Sequence, residues 1–115
     1  MSRRFRPARR DANERVIIDA LLRAGCIVHQ LDADSLPDLL VGTPDGRWVL
    51  LEVKLPLGPK GGAIGHQLLS EGQVEFFARA AEKKLPVRMV RSEKAALRAC
   101  GCLASIIEAG SKGEE

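Results

Sequence analysis

The sequence lacks a long apolar run, a secretory signal and a glycine-rich nucleotide-binding motif. No stretch approaches the roughly 18 apolar residues of a membrane span, and the basic first ten residues are not followed by the apolar segment of a signal peptide. The glycine-rich stretch 55–69 contains neither a Walker phosphate loop nor a dinucleotide-binding fingerprint. We therefore expect a cytoplasmic protein that does not contact a membrane.

Cysteine is also scarce. The three cysteines are Cys26, Cys100 and Cys102, an odd number, and most of their neighbours are apolar or small. Together with the missing signal, this favours reduced thiols in a cytosolic compartment. The pair Cys100 and Cys102 has no second pair at metal-ligand spacing, so the sequence favours buried structural thiols over a zinc site.

Acidic residues are absent from the first ten positions, and this changes the meaning of the net charge. The formal charge is +3, from 18 basic and 15 acidic residues. Outside residues 1–10 there remain 13 basic and 15 acidic residues, a net charge of −2. The basicity therefore belongs to an N-terminal arm, and the composition does not indicate a generally positive nucleic-acid-binding surface. The arm contains Arg3, Arg4, Arg6, Arg9 and Arg10.

The rest of the chain has the composition of one globular domain, with 45% hydrophobic and 29% charged residues. Periodicity and turn residues predict the order α-β-β-β-α-β-α, a mixed β-sheet flanked by helices in the α/β class. We predict a basic flexible arm over 1–10, a single domain over 11–110 and a frayed tail over 111–115. The predicted helices cover 11–24, 71–84 and 92–100, with a further short helix allowed near 103–109; the predicted strands cover 26–31, 37–43, 47–54 and 86–90, and 55–69 is a predicted loop.

Both longer helices open on a sequence that fits a capping box. Asp11 precedes Glu14 by three residues, and Ser70 precedes Gln73 by three residues. In a capping box the first side chain accepts a hydrogen bond from the backbone three residues on, and the later side chain accepts one from the cap residue. The predicted apolar side of the second helix consists of Val74, Phe77, Ala78 and Ala81.

The strongest polar interruption of an apolar strand is Glu52-Val53-Lys54. Side chains alternate between the two faces of a strand, so Glu52 and Lys54 project to the same face. One explanation is a solvated charge pair on an edge strand. The other is a functional pair at the end of a buried strand.

Asp38 supports the functional explanation. The dipeptide Asp45-Gly46 between two apolar runs predicts a hairpin, and with residues 43 and 47 opposed, Asp38 falls opposite Glu52 on one face. Two acidic residues whose Cβ atoms lie about 5 Å apart are unfavourable unless a cation lies between their carboxylates. Hard oxygen ligands suit Mg²⁺ or Mn²⁺. A register shift or a bulge would instead separate the two carboxylates.

These residues resemble the Pro-Asp…(Asp/Glu)-x-Lys signature of the restriction-endonuclease-like, or PD-(D/E)XK, nucleases. The resemblance is in particular to the VRR-NUC family, which includes stand-alone bacterial and phage-encoded domains. Pro37-Asp38 and Glu52-Val53-Lys54 carry the signature. Members typically also have a Glu in the first helix and Ser/Thr-x-x-Gln before the second, positions that Glu14 and Ser70–Gln73 hold here. Residues 86–92 are similar to the family's last strand.

The resemblance implies a divalent-metal-dependent endonuclease that hydrolyses DNA phosphodiester bonds, selective for nicks, flaps or junctions, and acting as a homodimer. It implies Mg²⁺ as the cofactor, one ion or two, with Mn²⁺ able to substitute. The implied catalytic residues are Asp38, Glu52, Lys54, Gln73 and Glu14. The implied metal ligands are Asp38, Glu52, the Val53 carbonyl and Glu14. For Glu14 and Gln73, a purely capping role is the alternative.

Substrate contacts are predicted outside the signature. The arm arginines Arg3, Arg4, Arg6, Arg9 and Arg10 would bind DNA phosphates without reading sequence, or the arm is a solubilising tail. Lys60 and His66 of the loop would contact DNA, or they are simply solvated. Two other functions remain open: a Holliday-junction resolvase of the same fold, and a catalytically silent nucleic-acid-binding module.

Overall fold

The computed structural model describes residues 8–55 and 69–102. The predicted order α-β-β-β-α-β-α and the α/β class are confirmed. Residues 1–7, 56–68 and 103–115 lie outside the described part, and with them the predicted helix near 103–109, the frayed tail and most of the predicted loop. The elements are α1 (Ala8–Arg23), β1 (Ile27–Gln30), β2 (Leu39–Gly42), β3 (Trp48–Val53), α2 (Glu71–Glu82), β4 (Val87–Val90) and α3 (Glu93–Ala99).

The four strands form one mixed sheet in the order β1-β2-β3-β4. The pairs β1–β2 and β2–β3 are antiparallel, whereas β3 and β4 are parallel, joined by a connection that contains α2. In the β2–β3 pair Leu39 faces Leu51 and Gly42 faces Trp48. Residues 38 and 52 are the next opposed positions in this register, as the hairpin spacing predicts.

The turn between β2 and β3 is a three-residue loop. The N–H of Thr43 donates to the carbonyl of Arg47 at 2.8 Å, so the predicted opposition of 43 and 47 is confirmed. Gly46 has φ +87°, while Asp45 is not left-handed. One left-handed position, filled by glycine, therefore closes the turn.

The hydrophobic core lies on one face of the sheet, beneath α1 and α3. Strand alternation sends every second residue of β2 and β3 to that face, and both helices contribute buried residues to the same cluster. Asp38 and Glu52 belong to the opposite face. The core cluster contains Ile17, Leu21, Cys26, Leu39, Val41, Val49, Leu51, Val53, Val90, Ala96, Cys100 and Cys102.

Helix α1 begins at Ala8, three residues before the predicted start. Arg9 and Arg10 therefore belong to the first turn of the helix rather than to a flexible arm. Asp11 lies inside the helix, so the predicted capping box of Asp11 and Glu14 is wrong. A favourable cap residue does not end a helix when the preceding residues, here Ala8 and two arginines, are also good helix formers.

Helix α2 confirms its predicted capping box but not its predicted apolar side. Val74 is exposed, whereas Gln73 and Ala80 are buried and Phe76 and Phe77 are half-buried. These four positions follow the i, i+3, i+4, i+7 spacing of one helical face. The buried face of α2 therefore begins with a polar residue, Gln73, and a prediction based only on the spacing of apolar residues does not include it.

The helices α1 and α3 end in the same way and meet at their ends. Gly25 and Gly101 have positive φ, and the next residues, Cys26 and Cys102, donate their N–H groups to the carbonyls of the residues five positions earlier. This is the Schellman ending. The two Sγ atoms lie 3.6 Å apart, and all three cysteines are buried free thiols.

None of the helices in the described part of the chain has the length and apolar character that a membrane span requires.

Candidate active site

Burial of polar side chains marks one region of the molecule. Among the residues that the structure describes, six polar or charged side chains are buried, and five of them are residues predicted for the site. Burying such groups is unfavourable unless they are hydrogen-bonded or paired. The five are Glu14, Asp38, Glu52, Lys54 and Gln73, each at most 4% exposed, and the sixth is Thr43 in the hairpin turn.

Three of these residues come together at one end of the two central strands, β2 and β3. Asp38 immediately precedes β2, Glu52 is the last but one residue of β3, and Lys54 follows β3 directly. Because β2 and β3 are antiparallel, the start of one lies beside the end of the other. The register sets Asp38 opposite Glu52, and alternation gives Lys54 the same face as Glu52.

The carboxylate of Asp38 is oriented by the backbone of the neighbouring strand. Its Oδ2 accepts a hydrogen bond of 2.8 Å from the N–H of Val53, and the side chain is fully buried. This bond fastens Asp38 to β3 one position beyond the last β2–β3 pair. It also fixes the direction in which the other carboxylate oxygen points.

Glu52 and Lys54 form a buried ion pair. Nζ of Lys54 lies 3.2 Å from Oε2 of Glu52, and the side chains are 3% and 0% exposed, respectively. The explanation of Glu52 and Lys54 as a solvated charge pair on an edge strand is therefore wrong, because β3 is an inner strand, flanked by β2 and β4. A buried pair is costly to desolvate, so its presence here favours a functional role.

Glu14 is held by a residue that the sequence did not point to. Gln30, the last residue of β1, donates from Nε2 to Oε2 of Glu14 at 3.1 Å. Along α1, Glu14 shares its face with the buried residues Ile17 and Leu21. Like Gln73 in α2, Glu14 is thus the polar start of an otherwise apolar stripe.

Gln73 uses its carbonyl oxygen in the cap of α2. The N–H of Ser70 donates to Oε1 of Gln73 at 3.1 Å, and the N–H of Gln73 donates to Oγ of Ser70 at 3.2 Å. These bonds leave the amide nitrogen of the Gln73 side chain for a second contact. The close approach of α2 to the chain leading to Asp38 depends on Gly72, where a Cβ would come within 2.5 Å of Ser35 Oγ.

Asn13 is the second residue that sequence reasoning missed. Its Nδ2 donates to the carbonyl of Lys54 at 2.9 Å and lies 3.5 Å from the carbonyl of Arg91. Asn13 and Gln30 are single polar residues without a motif. Asn13 directly precedes Glu14, and this adjacency is the one signal in the sequence that could have drawn attention to it.

The donor set fits a hard divalent cation. Within the described residues, no three or more His, Cys, Asp or Glu side chains form a metal-binding group, so Glu14 does not complete a three-carboxylate cluster with Asp38 and Glu52. Two carboxylates and a backbone carbonyl are nevertheless sufficient for Mg²⁺, which usually keeps several waters and takes other ligands from a substrate phosphate. In the described part of the chain, the buried charges of this region are three carboxylates and one ammonium, and a divalent cation would reduce the repulsion between the carboxylates.

The predicted DNA-binding residues fall mainly outside the described part of the chain. Arg3, Arg4 and Arg6 precede Ala8, and Lys60 and His66 lie within 56–68. Their contacts with DNA therefore stay predictions, as do those of Arg9 and Arg10 at the start of α1.

Comparison with known proteins gives one informative match. A solved structure described as a "VRR_NUC domain" aligns with 80% of this chain and 94% of its own length, with a TM-score of 0.62 and 20% sequence identity. The chain has the fold of a VRR-NUC domain. No protein-family model matches the sequence, and no curated protein does.

Proposed function

We propose that this protein is a divalent-metal-dependent endonuclease that hydrolyses DNA phosphodiester bonds. The observation that carries the proposal is that the side chains of Asp38, Glu52 and Lys54 are all buried and lie together at one end of β2 and β3. Buried charges cost stability, and a fold that keeps three of them together without a use for them would be hard to explain. The VRR-NUC fold supports the same reaction class.

The cation would be held by Asp38, Glu52 and the Val53 carbonyl. When bound, Mg²⁺ or Mn²⁺ would activate a water, stabilise charge on the phosphoryl oxygens and assist the leaving 3′-oxygen. Glu14 would act on the same cation through a bound water, because it forms no three-carboxylate cluster with Asp38 and Glu52.

The protein's own groups supply orientation and charge. Asp38 is held in one direction by the Val53 N–H, and Lys54 is held beside Glu52. The Lys54 ammonium would lie next to the scissile phosphate and offset the negative charge that develops there. The amide nitrogen of Gln73 would orient Lys54 or the attacking water.

The decisive experiment is cleavage of labelled DNA in the presence of Mg²⁺ or Mn²⁺. We expect Lys54→Ala and Asp38→Asn each to reduce the rate by roughly 10²–10³-fold, in the range seen when a transition-state-stabilising group is removed. Lys94→Ala, which changes an exposed lysine of α3, is the matched control and should leave the rate unchanged. Cleavage that persists in EDTA, or that survives both site variants, would refute the proposal.

The proposed substrate is branched or structured DNA. Nicked, flap, four-way-junction and linear duplexes of the same sequence should be compared side by side. We expect cutting of more than one branched form and weak cutting of the linear duplex. Cutting of the four-way junction alone would identify a junction resolvase, and binding without cutting would identify a silent binding module.

We also propose that the protein acts as a homodimer. The sheet face opposite the core exposes two neighbouring apolar side chains, Ile27 and Trp48, on either side of Gly42, and grouped exposed apolar residues are typical of interaction surfaces. Sedimentation should give twice the monomer mass, and Trp48→Arg should shift the equilibrium toward monomer. A wild-type monomer at micromolar concentration would exclude this part of the proposal.

A further inference from the structure

The chain is fastened by side chains at the point where it leaves β3. The carbonyl of Lys54 accepts from Asn13 Nδ2 at 2.9 Å, and the carbonyl of Leu55 accepts from Arg91 Nη1 at 2.8 Å. The same Asn13 nitrogen lies 3.5 Å from the carbonyl of Arg91. Asn13 and Arg91 therefore act on two consecutive carbonyls, and we call these two residues the exit clamp.

The carbonyls of Lys54 and Leu55 need side-chain donors because both residues lie beyond the end of β3. β3 ends at Val53, yet Lys54 and Leu55 are 3% and 5% exposed. Buried carbonyls almost always accept a hydrogen bond. The sheet supplies the partner for the Lys54 N–H, which donates to Val90 at 3.0 Å. The carbonyls instead depend on side chains from α1 and from the residue that follows β4.

The consequence falls on the Lys54 side chain. Both backbone groups of Lys54 are held, the N–H by β4 and the carbonyl by Asn13, so the peptide planes on either side of its Cα are fixed. A long side chain amplifies any rotation of its backbone. The 3.2 Å approach of Nζ to Glu52 therefore depends on groups that lie far away in sequence.

We propose that Asn13 and Arg91 are positioning residues for Lys54, acting on its backbone without touching the substrate. The alternative is a purely structural tie between α1 and the sheet. The catalytic part of the test rests on the endonuclease function proposed above, whereas its spectroscopic part does not.

The test compares Asn13→Ala and Asn13→Asp with a variant that weakens α1 elsewhere. An ionised Asp keeps the shape of Asn but only accepts hydrogen bonds, so both variants remove the donor. Ala20→Gly lies about 10 Å along the helix from Asn13 and destabilises α1. At a temperature where all are folded, we expect the Asn13 variants to lower kcat between roughly 10- and 100-fold. KM for DNA should change little, and Ala20→Gly should keep the wild-type kcat. A fall in kcat of equal size in Ala20→Gly would overturn the proposal.

The second readout needs no cleavage. In protein labelled with ¹³C-lysine, the side-chain Cε signal of Lys54, assigned through Lys54→Arg, should shift in both Asn13 variants and not in Ala20→Gly. Hydrogen exchange at the Lys54 amide should accelerate in the same two variants. An unmoved Lys54 signal would overturn the proposal even if activity were lost. An inactive wild type with a shifted signal would refute the endonuclease and leave the exit clamp supported.

The double variant Asn13→Ala/Arg91→Met tests whether the two residues position the same segment, Lys54 and Leu55. If both position the same short segment, the second loss adds less than its own effect on the Lys54 signal and on kcat. Independent effects that multiply in full would show that Arg91 does not belong to the exit clamp.

Discussion

The ammonium nitrogen of Lys54 lies 3.2 Å from Oε2 of Glu52, and both side chains are buried. Removing one partner of a buried pair leaves a desolvated charge behind, which costs about 3–5 kcal/mol. We therefore expect Lys54→Met to lower the free energy of unfolding by about 3 kcal/mol in a urea titration at neutral pH. Lys94→Met, on the surface of α3, should stay within about 0.5 kcal/mol of wild type. Equal stability of the two variants would contradict the buried pair.

The double variant Glu52→Gln/Lys54→Met removes both charges. Because neither charge is then left uncompensated, we expect it to be more stable than the sum of the two single effects requires. The comparison is made in the same urea titrations. Strict additivity would mean that the two groups do not stabilise one another.

Cation binding should be measurable as stability. A ligand that binds only the folded state stabilises it by about 2.7 kcal/mol at one hundred times its Kd. We expect Mn²⁺ to raise the Tm of the wild type and EDTA to reverse the shift. Asp38→Asn should abolish the shift while keeping the fold, since the Asn oxygen still accepts from the Val53 N–H. Asp34→Asn, at an exposed carboxylate, should keep it; loss in both variants would point to nonspecific binding.

Asp45 in the β2–β3 turn should contribute a pH-dependent stability. The Thr43 hydroxyl, and then the Arg47 guanidinium, lower the pKa of Asp45 below its usual value. A lowered carboxyl pKa contributes stability that is present above about pH 4 and is lost as pH falls through the folded-state pKa. Asp45→Asn should therefore be less stable than wild type at pH 7, with the gap closing on acidification. A gap that is constant with pH would contradict this account.

The buried thiols should be unreactive in the folded protein. Burial, followed by the hydrogen bond that the Cys26 thiol makes to Cys102, raises the pKa of Cys26 to about 12, and burial raises that of Cys100 to about 11. Only the thiolate reacts rapidly, so at pH 8 an aromatic disulfide reagent should titrate these two cysteines slowly, and all three quickly in urea. Because both pKa values are raised, the stability they provide is complete below about pH 8.5 and is lost as pH rises above it. Rapid native titration of all three would refute this.

Much of the site could be predicted because it depends on short-range sequence features. The hairpin length and the two-residue strand period together set Asp38 opposite Glu52, and Lys54 follows from the same period. Ser70 and Gln73 were predictable as a capping box for the same reason: the interaction is complete within four residues. The VRR-NUC resemblance adds Glu14 as a site residue, whereas the local pattern predicted for it only a capping role with Asp11, which is wrong.

The remaining features depend on contacts between distant segments. Asn13 and Gln30 act on residues that are 41 and 16 positions away, and neither belongs to a motif. The buried side of α2 was misjudged because it begins with Gln73, and a polar residue does not count in an apolar pattern. The start of α1 was misplaced because a good cap residue does not exclude further helix before it.

The three-residue turn at Pro44–Gly46 lies at the far end of the hairpin from the site, yet its length decides whether the site exists. A strand that slips by one residue exposes every side chain on the other face, so one residue more or fewer in this turn would send Asp38 to the core side while Glu52 stayed where it is. Substitutions that keep a glycine at 46 would leave the chemistry intact. The site therefore requires a fixed length for this turn and a glycine at position 46, whereas the other turn residues can vary.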